Sequence, residues 1–415
     1  MILLLAVTRI VTNVAVIAVL GLATYWSLRL AYADHLVHTN SLEQVRQAND
    51  LGPCNSRYLT RLAALLDEWG ENRKDSVAVL KAAVSCNPRD SASWIELGLK
   101  AEAEGNSTAA ERYLLEAARV DKQFDPRWAL ANFYLRRNNA EHFWTWAREA
   151  AAMSYGDLTP LFRLSWRISR DADRILERAI PDQQEVLARY LSFLLAENYL
   201  EAAEMVAQRL LKPSERAYLP VLLAACDRFI EAGKLQAAMN IWRGLGSRKL
   251  IPYQALAKER GLSLTNGDFH MPPLMHGFDW HLHMGEGVSM SRRESPPGLR
   301  ITFSGSQPES CELLSQLVPL LPDRAYRFSF RYQTSMIPPN TGLRWRIVDA
   351  ETGRELAKGS PSLSSEREKA EEVLFLSTAE TRWARVILEY QRAMGTTRIE
   401  GFLLLRDASL SFATA

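Results

Sequence analysis

Four histidines and four methionines fall within residues 270–290: His270, Met271, Met275, His276, His281, His283, Met284 and Met290. Imidazole and thioether donors suit copper, and in a strand His281 and His283 would share one face. A short His-rich tract is a compositional signal only. Surface histidines are the plainer reading, and no metal is assigned from them. Catalytic motifs are missing from the sequence. It has no G-x-S-x-G, H-E-x-x-H, Walker loop or dinucleotide fingerprint. Glu371 and Glu372 belong to a solvated charge run from Glu366 to Glu372. Glycoside hydrolysis needs two opposed carboxylates, and no spacing in the sequence singles out such a pair. The expectation is therefore a binding protein rather than an enzyme.

The elements that would carry these side chains follow from composition and period. The chain has 415 residues, 50 Lys+Arg against 48 Asp+Glu, and 47% hydrophobic residues. That composition belongs to a folded chain, and the near-neutral balance argues against a nucleic-acid partner bound by bulk charge. Four cysteines exclude a disulfide-dense scaffold. The charge is unevenly spread, because Arg9 is the one charged residue in the first 28.

Ile10 to Leu28 is an uncharged apolar run. As a helix it spans about 28 Å, close to the thickness of a hydrocarbon core. Tyr25 and Trp26 sit near its far end, where amphipathic rings favour the interface, and Arg9 and Arg29 flank it. Residues 1–33 are thus expected to be a single-pass signal anchor in the inner membrane, with the remainder periplasmic or otherwise extracytoplasmic. The alternatives are a signal peptide cleaved after Ala31-Tyr32-Ala33 and a buried soluble helix.

From residue 41 to 261 apolar residues recur at helical spacing. Leu59, Leu62, Ala63, Leu66 and Gly70 align at an offset of 35 with Trp94, Leu97, Gly98, Ala101 and Gly105. In the second unit, small Gly98 and Ala110 let two antiparallel helices approach while Trp94 and Leu97 fill the seam. This unit closely resembles the tetratricopeptide repeat (TPR). About six hairpins are expected, the later ones irregular, in a TPR-like α-solenoid. The resemblance implies an extended surface for a protein partner. Trp128, Tyr134, Arg136, Arg137, Trp144, Trp146, Arg163 and Trp166 are the candidates for a partner-binding groove. The alternative is that the aromatics fill the junctions between irregular repeats. Cys54 opens the first helix of the first hairpin and Cys86 closes the second. These ends adjoin in an antiparallel pair, so Cys54–Cys86 is a disulfide candidate in an oxidising compartment, two separate buried thiols being the alternative. Cys226 and Cys311 read as lone buried cysteines.

Near Leu264 the period changes to two. Short alternating runs at 298–303, 326–332, 343–347, 373–376, 385–390, 399–405 and 408–412 are separated by Gly, Pro and Asn turns. They predict an antiparallel β-sandwich over 264–415. Asn266-Gly267-Asp268-Phe269, Gly277-Phe278-Asp279-Trp280, the run from Pro322 to Phe330 and Asp407 to Leu410 stand in the order found in carbohydrate-binding modules. The segment resembles that jelly roll, within the galactose-binding-like group. The resemblance implies a glycan or protein ligand, with Trp280, Arg344, Trp345, Arg346 and Trp383 as ligand-binding candidates. No cofactor is expected; the resemblance leaves open a structural calcium, with Asp268 and Asp407 as its candidate ligands. The competing expectation places Trp280 and Trp383 in the core and Trp345 on a buried face.

Together these signals describe a multidomain chain, α then β: anchor 1–33, helical repeats 41–261, sandwich 264–415. The expected role is a bacterial envelope scaffold or adaptor, in polysaccharide assembly or export. A glycan-binding protein with the repeats as spacer is the alternative, and a glycan-active enzyme the second.

Overall fold

The computed structural model describes residues 2–68, 73–153, 156–212, 215–261, 263–357 and 362–413. Gly70 of the repeat alignment lies outside the described residues, as do Met1 and residues 414–415 at the ends of the expected anchor and sandwich. The chain is α then β: fourteen α-helices precede nine strands among the described residues. It divides into two compact units, Met1–Val186 and Leu187–Ala415.

The first unit opens with α1 (Ile2–Val37), followed by α2 (Leu42–Leu51), α3 (Ser56–Glu68) and α4 (Arg73–Cys86). Next come α5 (Ser91–Ala103), α6 (Ser107–Val120), α7 (Phe124–Arg136), α8 (Ala140–Ala152), α9 (Thr159–Ile168) and α10 (Ala172–Arg178). Part of α1, Thr12–Val37, is long and apolar enough to cross a membrane. Its residues from Val14 to Leu28 stand exposed, whereas Ala33, Leu36 and Val37 are buried against α2 and α3.

The α5–α6 hairpin pairs as its small residues predict. A Cβ added to Gly98 would lie 2.6 Å from Leu114 Cγ and 3.4 Å from the Ala110 carbonyl oxygen. Leu97, Ala110 and Leu114 are buried along the seam. Cys54 and Cys86 form a disulfide across the α3–α4 hairpin. Short loops make successive helices antiparallel neighbours, so the chain just before α3 meets the end of α4.

The second unit holds α12 (Leu200–Leu211), α13 (Leu219–Glu231), α14 (Leu235–Ser247) and the strands; α11 (Gln184–Ala196) crosses the division. Several hairpin turns are built alike. Gly105, Asn138, Asn198 and Gly233 are left-handed. The next N–H in each case donates back to a carbonyl five residues earlier: Asn106 to Ala101, Asn139 to Tyr134, Tyr199 to Leu194 and Lys234 to Phe229, at 2.8–2.9 Å. This closure stops one helix and aims the next.

The strands are β1 (His281–Leu282), β2 (Val288–Glu294), β3 (Pro297–Ser304), β4 (Ser310–Pro319), β5 (Ala325–Ser335), β6 (Leu343–Asp349), β7 (Lys369–Leu376), β8 (Trp383–Gln391) and β9 (Glu400–Phe412). They make two antiparallel sheets, ordered β1-β4-β8-β6 and β2-β3-β9-β5-β7. Alternate residues from both sheets fill one core, with Trp280, Phe328, Phe330, Trp345 and Tyr390 among the largest. The two expected runs at 399–405 and 408–412 are one strand, β9, whose pairing with β5 shifts register between Ser329 and Arg331. Asp407, left-handed at φ 50°, lies in this stretch. Asn266 to Phe269 is a turn. A Cβ on Gly267 would lie 1.8 Å from the Ala408 carbonyl oxygen, and the Gly267 carbonyl accepts from the Ala408 N–H at 2.7 Å. Glycine lets this turn lie directly on β9.

Candidate functional site

The aromatic stretch of α7 and α8 divides by burial. Trp144 and Tyr134 are buried, at 1% and 6% exposure, which corrects their place among groove residues. Tyr134 donates to Glu111 at 2.7 Å and stacks on His142, so both side chains build the hairpin interior. Burial first, then Glu111, pushes the Tyr134 phenol well above its ordinary value. Arg136 is clasped by Glu102 through two hydrogen bonds of 2.8 and 2.6 Å, and Arg137 lies over the Phe133 ring. Trp128, stacked on Phe124, is half-buried, as are Trp146 and Trp166, while Arg163 is exposed. These four keep surface for a partner.

In the sandwich, Trp280, Trp345 and Trp383 are buried at 0, 1 and 6% exposure. They present no open ring face, which corrects the expectation of a sugar platform. Trp280 donates to the Asn266 carbonyl at 3.1 Å and stacks on Phe269. Trp345 meets Phe328 edge-on. Trp383 lies on the outer side of its sheet, yet Phe278 covers it at 5.8 Å. Arg344 and Arg346, on that outer face, both grip Glu389, at 2.9–3.0 Å. The Asp407 carboxylate faces the Arg331 guanidinium at 3.6 Å, and Asp268 accepts from the His270 N–H. Among the described residues no group of three or more His, Cys, Asp or Glu could hold a metal.

The histidines lead instead to a cleft of about 810 Å³ between the α13–α14 hairpin and the outer face of the β1-β4-β8-β6 sheet. Asp227, Glu231, Met275, His281, His283, Ser315, Glu351 and Arg385 are among its lining residues. Asp227 accepts from the Gly277 N–H at 2.7 Å, and its other oxygen lies 2.5 Å from His276 Nδ1. His283 Nε2 lies 2.9 Å from Glu312, which also takes a 2.8 Å hydrogen bond from Arg385. Apolar Ile230, Leu235 and Leu317 complete the wall. A surface with paired charges around an apolar floor is suited to holding a ligand. Asp227 and Glu312 are thus each held by two neighbours at the cleft.

Beside the cleft, Asp279 is fully buried. One oxygen accepts from the Tyr253 hydroxyl at 2.7 Å and the Leu274 N–H at 2.5 Å. Burial pushes the Asp279 carboxyl above its ordinary value, against the pull of these hydrogen bonds. Burial also raises Tyr253, helped by Asp279. Asp227, Glu312 and Arg385 carry no local signal in the sequence, since their partners stand 29 to 73 residues away.

No protein-family model matches the chain, and no curated protein matches it. Among solved structures, the chain is similar to a CBM4 domain, with 14% identity over 36% of this chain and 100% of that one and a TM-score of 0.29. It is similar to YrrB, described as a TPR protein with an unusual peptide-binding site, with 11% identity over 50% of this chain and 94% of that one and a TM-score of 0.23. It is also similar to PilW, a type IV pilus biogenesis factor, with 14% identity over 47% of this chain and 78% of that one and a TM-score of 0.23. Similarity at this level concerns fold and carries nothing about what this chain binds: the helical region is similar to TPR proteins and the terminal domain to a carbohydrate-binding module.

Proposed function

We propose that the protein is a scaffold or adaptor of the bacterial cell envelope. In this reading α1 anchors it in the inner membrane, its folded units lie on the periplasmic side, and a protein partner seats on the helical repeats. The observation that carries the reading is the Cys54–Cys86 disulfide in the helical hairpin that follows α2, downstream of an exposed apolar helix. Disulfides persist in oxidising compartments, and a membrane-crossing α1 delivers this hairpin to one. Trp128, Trp146, Trp166 and Arg163 are the side chains assigned to the partner, since Trp and Arg dominate binding hot spots. The cleft beside the sandwich is assigned to a second ligand, a protein segment or a glycan, in polysaccharide assembly or export. Binding rather than catalysis is the role assigned to both surfaces.

Crosslinking in native membranes tests this reading. A photoreactive residue at position 166 is expected to capture a periplasmic or membrane protein, and Trp128→Ala is expected to weaken that capture. Capture of cytosolic proteins alone overturns the topology.

A further inference from the structure

We infer that the disulfide-closed corner of the first unit, the α2–α3 turn with Cys86 beside it, rests on phospholipid headgroups, and that α1 is a rigid stem rather than a flexible tether. The inference rests on the reading of α1 as a membrane anchor and adds where the repeats stand against the bilayer.

The helix is continuous from Ile2 to Val37, so no linker separates the apolar run from the repeats. The run ends at Leu28, and Arg29 follows. The Arg29 guanidinium lies 4.9 Å over the Trp26 ring. Its Nε donates to the Leu51 carbonyl at 2.8 Å and its Nη2 to the Asp50 carbonyl at 3.4 Å. These carbonyls end α2, so the α2–α3 turn is tied to the level of α1 where hydrocarbon gives way to headgroups.

Contacts further along set the direction. Tyr58 donates to Asp34 at 2.7 Å, and Arg61 to Asn40 at 2.8 Å. As α3 advances, its partners on α1 and the following turn advance too, so α3 rises away from the apolar end. Its start, with Cys54 and Cys86, stays at the lower level. Gly52 permits the close approach, since a Cβ there would lie 2.8 Å from the Tyr58 ring and 3.7 Å from Leu30. Pro53, Cys54 and Arg57 are exposed at this corner. Arg57 offers the phosphate-binding charge that a headgroup layer favours.

The test uses the full chain in vesicles of phosphatidylethanolamine and phosphatidylglycerol carrying headgroup spin labels. A fluorescent coumarin amino acid replaces Pro53 or, in a second protein, Glu104 at the far end of α5. One helix length, about 20 Å, separates those levels, so quenching at 53 is expected to be about threefold stronger than at 104. The double variant Arg29→Ala, Tyr58→Phe removes two ties to α1. It is expected to bring quenching at 53 toward the value at 104 while the protein still floats with the vesicles. Equal quenching at both positions of the unaltered, vesicle-bound protein overturns the inference and leaves the anchor standing. Unchanged quenching in the double variant overturns the stem. Failure to float overturns the anchor reading, and the inference with it.

Discussion

Asp227 on α13 and Gly277 in the segment leading to β1 are joined by a 2.7 Å hydrogen bond, which ties the last helical hairpin to the β-sandwich. Its neighbour His276 takes the other carboxylate oxygen. A Cβ at Gly277 would stand 2.6 Å from the Trp242 ring, so this segment has little room to move.

Asp227→Ala leaves the Gly277 N–H without its partner. A hydrogen bond to a charged group contributes about 1.5–3 kcal/mol, and a loss of about 2 kcal/mol is expected in urea unfolding. An unchanged midpoint shows that the tie adds no stability.

Gly98→Ala tests the repeat packing. Alanine is a better helix former by about 1 kcal/mol, but its Cβ would press on Leu114 at 2.6 Å, and overpacking costs about 1–3 kcal/mol. Net destabilisation is expected in thermal unfolding. A raised melting temperature would show that Leu114 moves aside without cost.

Reducing Cys54–Cys86, which lie 32 residues apart in sequence, removes a crosslink of about 3–4 kcal/mol in the chain-entropy estimate. Cys86→Ser is expected to lower the unfolding midpoint similarly and to make the wild-type difference between oxidised and reduced samples vanish. Cys226 is buried, so alkylation of the native oxidised protein should leave it unmodified until the chain unfolds.

Asp279 sets a pH dependence. Its folded value lies above the ordinary 3.8. Between 3.8 and that raised value the folded protein holds a proton that the unfolded chain has released. This contribution is therefore largest in acid and declines as pH rises through the window. Asp279→Asn is expected to flatten that slope in urea unfolding across pH; an unaltered slope assigns it to other groups.

Trp345→Ala separates core from ligand roles. The ring is 1% exposed, so truncation is expected to cost about 3–5 kcal/mol, with any loss of ligand binding tracking the loss of fold. A stable variant that loses glycan binding alone would restore the sugar-platform reading.

Much of this arrangement is legible in residue spacing. Gly98 and Ala110 reveal helices in close approach, and Cys54 and Cys86 fall where hairpin ends adjoin. Gly105 and Gly233 mark turns directly. Asn138 and Asn198 do the same work less visibly, because asparagine tolerates the left-handed conformation without announcing it. The ligand candidates are less legible, since alternation assigns a side chain to a face and says nothing of what covers that face. Trp383 points outward from its sheet and is buried all the same by Phe278. The cleft left no local trace: Asp227 lies in an ordinary helical pattern, and Glu312 and Arg385 meet through strand pairing across 73 residues.

The aromatic chain linking Tyr253, Trp242, Phe278 and Trp383 at 5.8–6.2 Å has a consequence for how the second unit comes apart. Opening the hairpin would wet the outer face of the sheet, and peeling the sheet away would strip Trp242 of its cover. Helices α13 and α14 and the sandwich should therefore melt in a single cooperative transition. A fragment cut at residue 264 would begin life with Phe278 stripped of Trp242 and bared to water, a sticky surface that would imitate ligand binding in any assay of the isolated sandwich.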